Sequence, residues 1–470
     1  CESSILSLPT KAQMNLNKIN NLIELFYHQY EKQKKKDKIL LSSLKEPKKN
    51  YSWQKTYESI NTLSTKLKEY LNKGDRCLLV SENRPEWFIA DMSIMLSESI
   101  TVPAYTTYAE GDYEYIINDC KPSVVFVSND EQFLKIKNII KKTSFIKKLF
   151  SFERLVDVEE EKYININNLK SALTEKDNIS KIGINRKDPA CIIYTSGTQG
   201  NPKGVILSHG GIISNCEGAL EIVKKIKKDN FKFLTWLPLS HSYEHTVQFV
   251  QIAVGAKIYY STKIEQLLEN IKLAKPYIMT AVPRFYNNLY SKMNTGALKA
   301  SGIKKWLFFQ TVKIGTKIFL KKSTSFKEKL INIFVDILVR KKVNKNFGGS
   351  LKAFVSGGGP LDSNVGIFLN ALGLKTLQGY GLTETSPVVT CNPIDKIKID
   401  TVGLPLKNVK VKIASDGEIL VKGENVMLGY WRNENATQEI LKDQWLYTCL
   451  LYTSDAADEG LGVDLGGRRI

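Results

Sequence analysis

The sequence predicts an α/β fold, in which mostly parallel sheets flanked by helices form two subdomains and a small antiparallel β subdomain follows. From residue 76 onward, short apolar runs alternate with helical patterns, as they do in βαβ units with a mostly parallel sheet. Two alternating strands around Ser415-Asp-Gly417 then indicate an antiparallel hairpin. The 470 residues, 43% hydrophobic and 24% charged, are enough to give each of these units a core.

The predicted elements follow one another in a regular order. Residues 15–75 have the pattern of amphipathic helices, interrupted by a lysine-rich loop at Lys34–Lys36. Residues 85–96 have a helical pattern, and short apolar runs before and after it predict strands. These predicted strands are residues 77–81, 100–105, 123–128, 191–195, 233–238, 256–260, 277–282 and 351–356. The predicted hairpin pairs residues 409–413 with residues 418–422.

The predicted division places two α/β subdomains in residues 1–394 and a small, incomplete β subdomain in residues 395–448. The final segment, residues 449–470, contains no lysine and no asparagine, although the preceding chain is rich in both. Its sequence is typical of a translated sequencing adapter, with a divergent native tail as the alternative. We therefore expect the native sequence to end near Thr448, and Cys1 to lie inside a longer reading frame.

The charge balance narrows the classes of partner. With 67 Lys+Arg against 48 Asp+Glu, the net charge is +19, which suits a nucleic acid, an anionic membrane or a polyanionic ligand. Only 9 of the basic residues are arginine, so the planar group that reads bases is scarce. We expect no nucleic-acid partner.

Cysteine and histidine usage indicates the compartment. The 7 cysteines form no Cys-x-x-Cys motif and there are only 4 histidines, which disfavours zinc sites and a disulfide scaffold. No apolar stretch approaches the roughly 20 residues of a membrane-spanning helix. The expected location is the cytoplasm, and the alternative is a peripheral position at the membrane.

Residues 301–345 are the basic segment of the chain. They contain 12 basic and 2 acidic residues, a net charge of +10, with large apolar residues between the lysines. This pattern predicts two basic amphipathic helices. In one interpretation the helices pack on the body with their lysines in water. In the other they form a peripheral membrane contact, with apolar side chains near lipid and lysines on anionic headgroups.

The strongest motif is Tyr194-Thr-Ser-Gly-Thr-Gln-Gly-Asn-Pro-Lys-Gly204, in which an apolar strand runs into a loop rich in Thr, Ser and Gly. Glycines allow the backbone to approach a ligand closely, and successive N–H groups and hydroxyls can surround phosphate oxygens. The spacing is not that of a Walker A loop. The predicted phosphate-binding residues are Thr195, Ser196, Gly197, Thr198, Gly200, Lys203 and Gly204.

Two further glycine-rich motifs follow in the second half of the chain. In Gln378-Gly-Tyr-Gly-Leu-Thr-Glu-Thr385, the ring of Tyr380 can stack on a base and Glu384 offers a carboxylate to a hard cation such as Mg²⁺. Thr383 adds a hydroxyl. The motif Ser356-Gly-Gly-Gly-Pro-Leu361 also permits close backbone approach, and it is a weak indication by itself.

With these motifs in this order, the chain resembles the adenylate-forming superfamily of acyl-CoA synthetases, luciferases and peptide-synthetase adenylation domains from about residue 50 to Thr448. Within it, the chain resembles the long-chain fatty-acid–CoA ligases. Besides the basic segment, the closer resemblance rests on Glu82-Asn-Arg-Pro-Glu-Trp87, Leu237-Pro-Leu-Ser-His241, Ala281-Val-Pro-Arg-Phe285, Gly417-Glu-Ile-Leu-Val-Lys-Gly423 and Met427-Leu-Gly-Tyr-Trp431.

The resemblance implies a two-step reaction. A long-chain fatty carboxylate attacks the α-phosphorus of ATP, which gives acyl-adenylate and pyrophosphate, and the thiol of CoA then displaces AMP. Mg²⁺ is the implied cofactor, held by Thr195 and Glu384. The implied catalytic residues are Lys203, His241 near the carboxylate, Thr383 at the α-phosphate and Glu384. The implied adenine-binding residues are Gly357, Gly358, Gly359, Gly379, Tyr380 and Gly381.

The sequence departs from the family pattern at two places. Gln199 stands where the family usually has Thr, which removes one hydroxyl from the phosphate loop. The family continues after the position of Thr448 with Gly-Asp, and that Asp binds the ribose hydroxyls, whereas Cys449 follows here. We expect residues 1–470 to bind ATP weakly and not to complete CoA ligation.

Other polar residues have structural interpretations. We expect His245 to be structural and His209 to be a neighbour of the helix cap at Ser208. Arg284 either meets phosphate or carboxylate or forms a structural ion pair, and an ordinary loop histidine is the alternative for His241. Two alternative functions stay open: an acyl-adenylating ligase that uses an aryl acid or loads a carrier protein, and a basic membrane-binding protein without catalysis.

Overall fold

The computed structural model describes residues 15–44, 49–156, 158–170, 182–195, 202–226 and 230–451, together with the backbone of 468–469. These residues form the predicted α/β fold, in which helices pack on mostly parallel sheets and a small antiparallel sheet is added. In the part of the chain that the structure describes, no helix has the length and apolar character needed to cross a membrane.

The helices begin where the sequence offers a cap. Ser52, Ser208 and Ser325 each accept a hydrogen bond from the backbone N–H three residues later, and Pro85 and Pro283 occupy the first helical position, where their missing N–H costs nothing. The helices are α1 Leu22–Gln33, α2 Trp53–Leu67, α3 Pro85–Leu96, α4 Glu110–Cys120, α5 Asp130–Lys142, α6 His209–Val223, α7 Ser242–Ala253, α8 Leu267–Ala274, α9 Pro283–Lys299, α10 Gly302–Phe319, α11 Phe326–Val335, α12 Lys341–Asn346, α13 Ser363–Ala371 and α14 Glu434–Ile440.

The strands are short and many are apolar. They are β1 Ile39–Ser43, β2 Asn50–Ser52, β3 Arg76–Val80, β4 Ile100–Ala104, β5 Val124–Val127, β6 Lys148–Ser151, β7 Tyr163–Asn165, β8 Pro189–Thr195, β9 Lys203–Ser208, β10 Lys232–Thr235, β11 Lys257–Tyr260, β12 Ile278–Ala281, β13 Ala353–Ser356, β14 Thr376–Gly381, β15 Val388–Cys391, β16 Leu404–Pro405, β17 Lys410–Ile413, β18 Glu418–Lys422, β19 Gly429–Tyr430, β20 Leu441–Lys442, β21 Trp445–Leu451 and β22 Arg468–Arg469.

The largest sheet has the strand order β19-β9-β8-β4-β3-β5-β6-β7. Strands β8, β4, β3, β5, β6 and β7 run parallel. Strand β9 pairs antiparallel with β8, and β19 pairs antiparallel with β9. All residues of β4 and β5 are buried, as expected for parallel strands covered by helices on both faces. The prediction of βαβ units in this region is confirmed.

Three smaller sheets complete the described part of the chain. One has the order β10-β11-β1-β2, with β10, β11 and β1 parallel, and another has the order β12-β13-β14-β15-β16, with β12, β13 and β14 parallel. The sheet β17-β18-β21-β20 is antiparallel and contains the predicted hairpin, in which Val411 pairs with Val421. Because β16 joins β15 and β19 joins β9, the strands of residues 395–448 are divided among three sheets.

A layer of helices fills the space between the largest sheet and the β10-β11-β1-β2 sheet. One hydrophobic cluster unites α1, α2, α3, α6 and α7 with β3, β5 and β8 of the first sheet and with β1 and β11 of the second. Every residue of α3 is buried, which is typical of a helix in the centre of a large core. The strand β8, at whose end the first motif begins, is therefore anchored in this core.

Residues 15–75 differ from the prediction. The amphipathic helices α1 and α2 are present, but β1 and β2 lie between them and were not predicted. Strand β1 pairs in parallel with β11, so that Leu41 lies opposite Ile258. Periodicity cannot assign so short an apolar run, and its partner strand is far away in the chain.

Candidate active site

The first motif begins on strand β8 and ends on strand β9, which pair antiparallel. Strand β8 ends at Thr195 and β9 begins at Lys203, and these two residues are paired at the base of the loop. Thr195 is half-buried and Lys203 is exposed. The predicted phosphate-binding residues Ser196, Gly197, Thr198 and Gly200 lie outside the described residues. The hydroxyl of Thr195 and the ammonium group of Lys203 therefore lie side by side where the two strands meet the loop.

Gly204 has a packing explanation. A Cβ atom there would lie 2.9 Å from the Ile192 side chain and 3.2 Å from both Tyr194 and Trp431. The backbone oxygen of Gly204 also accepts a hydrogen bond from the Trp431 N–H at 2.7 Å. The close approach that requires glycine at this position is thus to side chains of β8 and to Trp431, which follows β19. Phosphate binding by Gly204 stays a prediction.

Lys203 and Glu384 meet at one aromatic side chain. The Nζ atom of Lys203 lies 5.0 Å from the ring centre of Tyr430, a distance at which a cation is attracted to the ring. The hydroxyl of Tyr430 donates a hydrogen bond to Glu384 Oε1 at 2.8 Å. The structure therefore brings together two predicted catalytic residues that are far apart in the chain.

The segment around Glu384 is fixed from two sides. It forms a 3₁₀ turn, Thr383–Thr385, which packs against β9, and the Glu384 carbonyl accepts a hydrogen bond from the Met427 N–H at 2.8 Å. The hydroxyls of Thr383 and Ser242 lie 3.2 Å apart. Because Ser242 follows His241, this contact places Thr383 beside the predicted carboxylate-binding histidine.

His241 is a neutral hydrogen-bond donor. It caps α7, and its Nδ1 accepts a hydrogen bond from the Tyr243 N–H at 3.1 Å. Burial lowers the pKa of the imidazole, so at pH 7 the ring is neutral. Since Nδ1 is the acceptor, the proton lies on Nε2. The structure thus fixes which ring atom can donate to a substrate.

The two other glycine-rich motifs leave the same edge of one sheet. Strands β13 and β14 are parallel neighbours, with Ser356 opposite Gln378, so Gly357 to Gly359 and Gly379 to Gly381 lie at adjacent carboxyl ends. Ligands of open α/β sheets bind outside such ends. Burial raises the pKa of Tyr380 to about 12, which keeps the phenol neutral. Gly358 has φ +78°, a conformation that favours glycine. Contacts of these residues with adenine stay a prediction.

His245 and His209 have structural contacts, as predicted. His245 Nε2 lies 2.9 Å from Asp91 Oδ2 with both side chains buried. Burial alone would lower its pKa, but Asp91 raises it above the usual range. Burial lowers the pKa of His209 to about 4, and its Nδ1 accepts a hydrogen bond from Leu22 N–H at 3.4 Å. Arg284 is exposed and has no ion pair among the described residues.

Tyr430 and Ser242 are the residues that the motif reasoning did not identify. Tyr430 lies in Met427-Leu-Gly-Tyr-Trp431 and Ser242 directly follows Leu237-Pro-Leu-Ser-His241, two segments that were noted only for their resemblance. The signal that could have identified Tyr430 is its position as an aromatic residue inside such a segment. Its link to Lys203 and Glu384 depends on β19 pairing with β9, which no local pattern predicts.

The donor set fits a cation that arrives with a nucleotide. No cluster of three or more acidic, histidine or cysteine ligands occurs in the described ranges. Mg²⁺ typically takes one or two carboxylates together with waters and substrate phosphates. Glu384, with Thr195 at the entrance of the neighbouring loop, matches that pattern better than a resident all-protein site.

The structure is thus an α/β protein in which contacts through Tyr430 bring Lys203 and Glu384 together, with Thr383 beside them. The chain belongs to the AMP-binding enzyme family, whose model matches residues 27–431. A long-chain-fatty-acid–CoA ligase of Mycobacterium bovis is 29% identical over 401 residues, which cover 84% of this chain and 65% of the relative. Long chain acyl-CoA synthetase 3 of Arabidopsis thaliana is 29% identical, covering 85% of this chain and 64% of the relative. The chain thus spans about two thirds of the length of these relatives.

Solved structures support the fold. ATP-bound MatB from Rhodopseudomonas palustris has a TM-score of 0.68 at 20% identity, covering 91% of this chain and 76% of that chain. The anthranilate CoA ligase AuaEII in complex with anthranoyl-AMP has a TM-score of 0.70 at 18% identity, covering 93% and 76%. The N-terminal domain of FACL13 from Mycobacterium tuberculosis has a TM-score of 0.67 at 16% identity and is covered to 96%.

Proposed function

We propose that this chain carries the adenylate-forming site of a long-chain fatty-acid–CoA ligase. The observation that supports this most directly is the joining of Lys203, Tyr430 and Glu384 beside Thr383 and His241. The relatives named as long-chain ligases support the substrate class. The whole protein would make acyl-adenylate from ATP and a fatty acid, and then the CoA thioester.

The first step must overcome repulsion between two anions. A carboxylate oxygen forms a bond to the α-phosphorus as the bond from that phosphorus to the bridging oxygen breaks, and pyrophosphate leaves. Two like charges 4 Å apart repel by about 4 kcal/mol at an effective dielectric of 20. Exposed Lys203 at the loop entrance supplies a positive charge that reduces this cost and stabilises the leaving group.

His241 and Thr383 orient the reacting groups. The Nε2–H of neutral His241 donates a hydrogen bond to the carboxylate and leaves its negative charge in place for attack. Ser242, buried and in contact with the Thr383 hydroxyl at 3.2 Å, holds Thr383 toward the α-phosphate. When bound, Mg²⁺ neutralises phosphate charge, and Glu384 with Thr195 would hold it.

A test of the substrate class uses binding of stable acyl-adenylate mimics to the chain. An acyl-sulfamoyl adenosine with a long alkyl chain is compared with one that carries an aryl group, by titration calorimetry. We expect the alkyl mimic to bind at least tenfold more tightly, because each buried methylene contributes about 0.8 kcal/mol. Lys203→Met is expected to weaken binding of Mg-ATP.

The outcomes separate the alternatives. Preference for the aryl mimic would replace the fatty-acid proposal with the aryl-acid alternative, while the adenylating site stands. Binding of neither mimic, with no binding of Mg-ATP, would refute the adenylating site. Lys225→Met serves as the control, because that lysine pairs with Asp395 at 2.6 Å on the surface and has no contact with the residues of the site.

A further inference from the structure

Helix α11 has its apolar side turned away from the protein. Phe326, Leu330, Ile333 and Phe334 are spaced so that they share one helical face, and they are 46–76% exposed. Ile337, in the π-helical turn that follows, is 52% exposed. Val335, on the opposite side, is the only buried residue of α11. A surface helix of a globular protein normally has the reverse orientation, so this face is built for contact with something other than water.

The exposed face belongs to an ordered element. Helix α10 packs on α13 through its buried residues Thr311, Ile314 and Gly315, and it contacts α11. Lys317 and Glu328 form an ion pair of 2.6 Å between the two helices, and Glu328 completes a capping box with Ser325. Helix α10 also carries exposed large apolar side chains, Ile303 and Trp306, which are 73% and 48% exposed.

Positive charge surrounds this apolar face. Lys304, Lys313, Lys327, Lys329, Lys341 and Lys342 are all exposed. The two acidic residues of the segment are already occupied, because Glu328 pairs with Lys317 and Asp336 pairs with Arg340 at 3.5 Å. Residues 301–345 therefore keep most of their net charge of +10 for an external partner.

We propose that the exposed face of α10–α12, residues 301–345, docks on the surface of an anionic lipid membrane. The large apolar side chains enter the acyl boundary, and the lysines extend their charged ends to the lipid headgroups. A second copy of the chain is a poorer partner, since it would bring a like charge of +10 against this face. The proposal does not depend on the proposed function.

The test uses vesicle flotation with the chain as it stands. Vesicles of phosphatidylcholine alone are compared with vesicles that also contain phosphatidylglycerol, in about 0.1 M and about 1 M NaCl, where the screening length falls from about 10 Å to 3 Å. We expect binding to the anionic vesicles, lost in high salt. Lys327→Glu with Lys329→Glu should weaken binding at least about fivefold for each lysine replaced, because the change removes an attraction and adds a repulsion.

The apolar contribution has a matched pair of variants. Phe334→Asp is expected to reduce binding at least tenfold without changing the circular dichroism spectrum, because Phe334 is 62% exposed. Leu134→Asp, on α5 with Leu134 63% exposed, should bind as the parent does, as should Lys141→Glu with Lys142→Glu on the same helix.

Three outcomes would overturn the proposal. The first is no binding of the parent to anionic vesicles, and the second is binding that Phe334→Asp and the lysine variants leave unchanged. The third is a concentration-dependent dimer in sedimentation that Phe334→Asp abolishes, because this would assign the face to a second copy of the chain.

Discussion

At the scale of single residues, Glu244 is an acid that the fold keeps protonated. It lies fully buried in α7, and its Oε2 accepts a hydrogen bond from the Thr280 hydroxyl at 2.8 Å. Burial raises the pKa of its carboxyl from 4.5 to about 8. The unfolded chain releases this proton above about pH 4.5 and the folded chain retains it to about pH 8, so the group stabilises the fold less as pH rises through this window.

Glu244→Gln should remove this pH dependence. The amide oxygen can still accept from Thr280, and no proton is released on unfolding. We expect the parent to lose about 1.4 kcal/mol of unfolding free energy for each pH unit through this group, and the variant to lack that slope between pH 5 and pH 8. Urea unfolding at several pH values measures the difference, and Glu265→Gln, at an exposed site, is the control. Equal slopes in parent and Glu244→Gln would contradict the assignment.

The sequence identified the chemical types of the site residues but not their partners. A lysine after Asn-Pro and a glutamate after Leu-Thr predict charges suited to phosphate and Mg²⁺. That Lys203 and Glu384 share Tyr430 depends on contacts between segments that are far apart in the chain. Whether His241 is neutral likewise depends on its burial and on the Tyr243 N–H, which only the folded chain provides.

At the scale of elements, the hairpin β8–β9 holds β19 in place through Gly204. Gly204→Ala would place a Cβ 2.9 Å from Ile192 and 3.2 Å from Trp431, and overpacking of this kind costs about 1–3 kcal/mol. We expect a lower midpoint of thermal unfolding and weaker Mg-ATP binding, because the displaced β19 carries Tyr430.

The same change, glycine to alanine, is expected to stabilise the chain at a second glycine. Gly296 lies inside α9, and a Cβ there would meet no atom within 4 Å. Gly296→Ala should stabilise the chain by up to about 1 kcal/mol, since alanine favours the helix by that amount. If Gly204→Ala melted at the temperature of the parent, the packing explanation of this glycine would be wrong.

Elements with a strong local pattern were predicted well, and elements defined by a distant partner were not. Helix α3 was predicted with its observed bounds, Pro85–Leu96, because Pro85 marks its start. Strand β1 was missed, since its partner β11 lies far along the chain. The basic segment was predicted as two helices, and the π-helical turn Asp336–Arg340 and α12 continue it.

At the scale of the whole molecule, the candidate site joins two sheets. Lys203 and Tyr430 come from the antiparallel edge of the largest sheet, whereas Glu384 follows β14 of the β12–β16 sheet. The sequence predicted strands before the motifs that begin at Tyr194 and Ser356, but not strand β14 at the motif that begins with Gln378. The rule for carboxyl ends of parallel strands brings the last two motifs together. The relation between these two sheets depends on contacts between distant segments, such as that of the Thr383–Thr385 turn with β9, which a strand pattern does not encode.

The hydrogen bond from Tyr430 to Glu384 is the link between the two sheets that can be tested most directly. Tyr430→Phe removes the hydroxyl and keeps the ring near Lys203. We expect about tenfold weaker binding of ATP in the presence of Mg²⁺ and little change in EDTA, because a hydrogen bond to a charged acceptor contributes about 1.5–3 kcal/mol. Calorimetry measures both affinities.

In the double variant with Glu384→Gln the losses of affinity should not add, since both changes remove the same interaction. Tyr27→Phe, which removes a hydroxyl bonded to Tyr57 at 3.1 Å on the α1–α2 side, is the control. Additive losses, or an equal loss in EDTA, would show that Tyr430 does not act through Glu384.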